Sequence, residues 1–118
     1  MTEKGGHMST SDERFEEVKT NYVNALLSER DDISRATSAG DVSKIQVNVA
    51  QAAVAFYETA ADRLSAQSAS AEQAYKAAVT ANEAVVRARQ TAMAIAQLIG
   101  LLTQATNAAN SLVKQATV

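Results

Sequence analysis

The chain has no cysteine, no proline and no tryptophan, only four glycines and a single histidine. Without cysteine there can be no disulfide, no thiolate metal ligand and no thiol nucleophile, and the reduced or oxidised state of the compartment leaves no mark. Without proline almost nothing interrupts a helix. Aromatic residues make up 4% of the chain, so any core must be aliphatic. An excess of base is also missing. The formal net charge is -2 and the eleven lysines and arginines are scattered, which excludes the concentrated basic face that nucleic acid requires. No Glu-x-x-His motif, phosphate-cradling loop or nucleophile and base pair occurs, so no catalytic residue, metal or cofactor is expected and the chain does not read as an enzyme.

Alanine dominates what remains, with twenty-five copies, twenty-two of them at or after Ala50. Alanine has the highest helix propensity, so the fold class is all-α. Residues 1–8, MTEKGGHM, read as a tag or leader outside the fold, and His7 lies within it. Residues 9–118 read as one helical domain. The N-terminus lacks an apolar run followed by a small-residue cleavage site, so no classical signal peptide is expected. Localisation stays open, because export by a route without that signature fits equally.

Thr10-Ser11-Asp12-Glu13 has the pattern of a capping box and places a helix start near Asp12. From there Phe15, Val18, Tyr22, Ala25, Leu26, Ile33 and Ala36 recur at helical spacing as one apolar stripe. Ser38-Ala39-Gly40-Asp41 supplies punctuation, with Gly40 suited to end one helix and Asp41 to cap the next. A link this short favours an antiparallel hairpin. The second stripe is Val42, Ile45, Val49, Ala52, Phe56, Ala60 and Leu64. Residues 65–70, SAQSAS, admit a turn capped from Ser70, or continue as helix. With the turn, the helices cover about residues 12–38, 42–66 and 70–116. The Glu13, Glu16 and Glu17 cluster and the Glu58 and Asp62 pair read as solvated surface carboxylates.

From Ala71 a spacing of three and four holds without a slip through Ala74, Ala78, Ala81, Val85, Ala88, Ala92, Ile95, Ile99, Leu102, Thr106, Ala109 and Val113. That makes six heptads, with Lys76, Glu83, Gln90, Gln97, Gln104 and Ser111 on the opposite side. The expected architecture is a helical hairpin followed by a long alanine-rich heptad helix, as a three-helix bundle or an extended coiled coil. A continuous helix of this length would be a rod of ~68 Å. Two shorter helices cannot cover it, so it either bends, with Gly100 the candidate break, or meets another subunit.

Residues 90–113 carry no charge at all. All thirteen acids precede them and Lys114 is the one base that follows. A charge-free helix of this length is expected to be covered. Its nine amides and hydroxyls, from Gln90 to Ser111, oppose a simple membrane span.

The leading expectation is a structural subunit that assembles with itself, as an oligomer or filament, through Ala78, Ala81, Val85, Ala88, Ala92, Ile95, Ile99, Leu102, Thr106, Ala109 and Val113. On that reading Ile95→Asp or Ile99→Asp dissociates the assembly and leaves each chain helical. Two alternatives are a membrane-active protein that inserts residues 92–102 and an adaptor whose seam receives another protein's helix. Uncharged heptad segments rich in Ala, Gln, Asn and Thr are similar to the terminal helices of flagellins and secretion needle subunits. Residues 56–61, FYETAA, resemble a stretch of the R-body structural proteins. Both resemblances imply self-assembly, neither carries a functional residue over, and no family is recognised.

Overall fold

Thr10 opens the first helix as its sequence encodes. Its Oγ1 accepts from Glu13 N at 3.1 Å while its own N donates to Glu13 Oε1 at 2.8 Å, a complete capping box. In the computed structural model, which describes residues 8–118, five helices follow with no strand among the described residues. They are α1 (Ser11–Leu27), α2 (Glu29–Arg35), α3 (Ala39–Tyr57), α4 (Ala69–Gln90) and α5 (Ile95–Ala116). The leader expected over residues 1–8 falls, apart from Met8, outside the described residues, and so does His7.

The fold is all-α, and several expected boundaries change, among them the end of the second helix, which stops at Tyr57 and not near residue 66. The first helix breaks at Ser28, whose φ of -102° and ψ of 0° separate α1 from α2. Gly40 does not end a helix, because Ser38 caps α3 by accepting from Asp41 N at 3.1 Å and Gly40 lies within its first turn. Residues 65–70 do turn, and Ser68, not Ser70, caps α4 by accepting from Ala71 N at 3.1 Å.

The largest change is in the long heptad helix, which does not run from residue 70 to 116. It folds back at residues 91–94, nine residues before the fully helical Gly100. Met93 N donates to Ala88 O at 3.0 Å and Ala92 N to Arg89 O at 3.3 Å. Those two bonds form a Schellman motif, with Ala92 at φ 53° in the left-handed position that glycine usually holds. Folding back shortens the molecule to 47 × 29 × 19 Å, against the rod of ~68 Å.

Cross-helix contacts fix the arrangement. Phe15 and Tyr22 of α1 stack near Phe56 of α3 with ring centroids 5.3 and 5.5 Å apart. Asn82 of α4 donates to Glu17 of α1 at 2.7 Å, and Asn21 of α1 to Thr106 of α5 at 3.4 Å. The bundle runs α1, α3, α5, α4 around its axis, so α5 lies between α3 and α4 while α1 closes the inner side. The α3 to α4 connection therefore crosses the end of the bundle.

Leu64, fully buried, plugs that crossing, and Arg14 holds it. Its guanidinium is wholly buried and donates to Ser9 Oγ, Leu64 O and Ala66 O, each at 2.9 Å. Ala66 N donates to Ala116 O and Val118 N to Arg63 O, both at 3.0 Å, which pins the end of α5 to the same loop.

Candidate functional site

Alanine on the facing sides of α4 and α5 lets the two helices approach closely, and their core joins Val85, Ala88, Leu98, Leu102 and Ala105. α5 is also covered by α3 and α1, so its buried stripe is wide: Leu98, Ile99, Leu102, Ala105, Thr106, Ala109, Leu112 and Ala116. The residues expected to meet another subunit are mostly inside this core. Ala78, Val85, Ala88, Ile99, Leu102, Thr106 and Ala109 are buried, Ala81, Ile95 and Val113 are half-buried, and only Ala92 is exposed. The fold-back at residues 91–94 is the physical reason, since it brings one half of the seam against the other. In the folded monomer the seam is core.

What remains uncovered is the opposite side of α5. Ala96, Gln97, Gly100, Thr103, Gln104, Asn107, Asn110 and Ser111 face outward, and none is charged. On one flank two grooves between α5 and α3 are lined on the α3 side by Val47, Gln51 and Val54, and one of them also by Asp41 and Lys44. On the other flank a groove lies between α5 and α4, lined by Ala77, Thr80, Ala84 and Gln104, with Lys76 at its edge. Val47 is 47% exposed and Val54 51% exposed. The α5 part of this face carries no charge, and Asp41, Lys44 and Lys76 line the grooves on its two flanks. Among the described residues nothing lies within 4 Å of where a Gly100 Cβ would stand, so none of these neighbours requires glycine there.

The charged side of the molecule has a different character. A groove between α1 and α4 is lined by Glu17, Thr20, Asn82, Glu83 and Arg87, with Glu17 already bonded to Asn82. Glu13 is consumed by its capping box. Glu58 and Asp62 are exposed near the end of α3. Among the described residues no three His, Cys, Asp or Glu side chains converge on one point, and no helix is long and apolar enough to cross a membrane.

Two buried polar clusters carry no local sequence signal. One is Arg14 with Ser9 and Glu72. Burial pushes the Glu72 carboxyl up, but hydrogen bonds from Ser9 and the charges of Lys76 and Arg14 outweigh it and hold the group below its ordinary value. The other is the Asp32 and Arg89 pair, which ties α2 to the last turn of α4. The wide α5 stripe did leave a trace, because Leu98, Ala105 and Leu112 repeat at seven beside the seam. No protein-family model matches the chain, and comparison with curated proteins and with solved structures finds no significant match.

Proposed function

We propose that this protein is a structural subunit that assembles with copies of itself through the uncharged outer face of α5 and its flanks on α3 and α4. The observation that carries this reading is Gly100. A glycine on the exposed side in the middle of a helix costs about 1 kcal/mol relative to alanine, and none of the described residues uses the space its missing side chain leaves. A helix from a second copy, laid along α5, uses it by approaching the backbone closely. The surrounding amides and hydroxyls supply pairing across such a contact without burying a charge.

A stable contact needs ~800 Å² from each partner, and a broad face on a molecule measuring 47 × 29 × 19 Å can supply it. The role is architectural, not catalytic, with a second copy as partner and no cofactor. Sedimentation velocity on the wild type, Gly100→Arg and Val54→Lys tests the reading. Both variants are expected to sediment as single chains while the wild type forms a larger species. A wild type that sediments as one chain at every concentration contradicts self-assembly and leaves the face to another protein's helix.

A further inference from the structure

The fold-back at residues 91–94 is built in a way that sets it apart from the other helix boundaries. Its left-handed position holds Ala92, where a β-carbon is disfavoured and glycine is usual. α5 then begins at Ile95, with Ala94 offering no side-chain cap and no acid in the first turn; α2 also lacks a side-chain cap but has acids in its first turn, and α1, α3 and α4 each start on a serine or threonine cap. The heptad spacing also runs through Ala88, Ala92, Ile95 and Ile99 without a slip. Nothing in Thr91-Ala92-Met93-Ala94 opposes helix, and alanine favours it.

We infer that this elbow is a hinge for domain exchange: α4 and α5 straighten into one helix over residues 69–116, and α5 enters the bundle of a second copy. The occupant of the vacated place is the α5 of that copy. Every contact α5 makes with α1, α3 and α4 in the closed chain is remade between chains, including Asn21 with Thr106 and Ala66 N with Ala116 O. The exchange adds contacts as well as preserving them. Ala92, exposed in the closed chain, falls on the seam between Ala88 and Ile95 once the helix is straight, and the two long helices cross there. Straightening releases the left-handed alanine and the bond from the Arg35 guanidinium to Met93 O, while Arg89 can stay on Asp32. The inference builds on self-assembly by naming a second route to it, and it does not use the outer face.

Because the chain has no cysteine, a cross-link can be placed at will. Ala66→Cys with Ala116→Cys puts two thiols where the loop before α4 meets the end of α5, inside the bundle and away from the outer face. The double variant is unfolded, refolded at high concentration, and its dimer fraction isolated by size exclusion and treated with a short bismaleimide. Domain exchange predicts covalent dimers on a denaturing gel. It further predicts that adding Ala92→Gly lowers the dimer yield about tenfold, since glycine relaxes the elbow and weakens the straight helix. Adding Gly100→Arg should leave that yield unchanged. Dimers whose cross-links all lie within one chain overturn the exchange and leave outer-face assembly standing. A dimer yield insensitive to Ala92→Gly overturns it too. Absence of any dimer, at every concentration and in either assay, removes both readings together.

Discussion

Asp32 and Arg89 meet in a two-pronged ion pair, with Nη1 donating to Oδ1 at 2.6 Å and Nη2 to Oδ2 at 3.0 Å. The Asp32 side chain is 2% exposed and that of Arg89 23%. The pair fastens α2 to the turn of α4 that leads into the elbow. Charge-assisted bonds of this geometry are strong, and deleting one partner leaves the other without compensation.

Asp32→Ala is therefore expected to cost about 2–4 kcal/mol, the exposure of Arg89 keeping it under the fully buried limit. Joint replacement by Asp32→Leu and Arg89→Met should recover most of that loss. Urea unfolding of the two variants checks both values.

The packing of α5 against α1, α3 and α4 sets the cost of core truncation. Leu98→Ala and Leu112→Ala, both fully buried, should each lose about 2–5 kcal/mol. Leu27→Ala, 77% exposed, should stay within about 0.5 kcal/mol of wild type. Ile99→Asp now reads as a core lesion, since Ile99 is 4% exposed, and should reduce helicity in far-UV circular dichroism.

Glu72 gives the stability a pH dependence of known sign. Ser9 Oγ and N donate to its Oε1 at 2.7 and 2.8 Å, and its pKa falls below the ordinary 4.5. A carboxyl whose folded pKa is depressed stabilises the fold fully above the unfolded value, and that contribution is lost as pH falls through the folded value. Wild type should exceed Glu72→Gln in stability at pH 7, and the gap should close progressively below about pH 4.5. Urea midpoints of both proteins along a pH series read this out.

Gly100→Ala separates the folded chain from its assembly. With nothing near the new methyl, the isolated chain should gain about 0.5–1 kcal/mol. The same methyl stands where a second helix must approach, so self-association should weaken. Thermal unfolding at high dilution and a dilution isotherm give the two halves.

Helix class and the Thr10 cap were legible because each rests on local chemistry, propensity and a side-chain cap, while the serine cluster before α4 is compatible with a turn and with continued helix alike. The elbow was not legible. Its Schellman motif uses Ala92 in place of glycine, so it carries no punctuation, and the unbroken heptads on either side read as a single rod. The seam is legible as an apolar stripe, but what covers it is not, because only the fold-back brings one half against the other. Arg14 and the Asp32 and Arg89 pair lay beyond reach for another reason. Apart from Ser9, their partners stand fifty or more residues away, and periodicity is blind to contacts of that separation.

The most direct test of self-assembly through the uncharged face is light scattering behind size exclusion over a hundredfold concentration range, on wild type and Gly100→Arg. The wild type should exceed the 12.5 kDa of one chain, with mass rising with concentration, while Gly100→Arg elutes as a folded single chain under the same conditions. A wild-type mass of 12.5 kDa throughout, or an assembly that Gly100→Arg leaves intact, would contradict it.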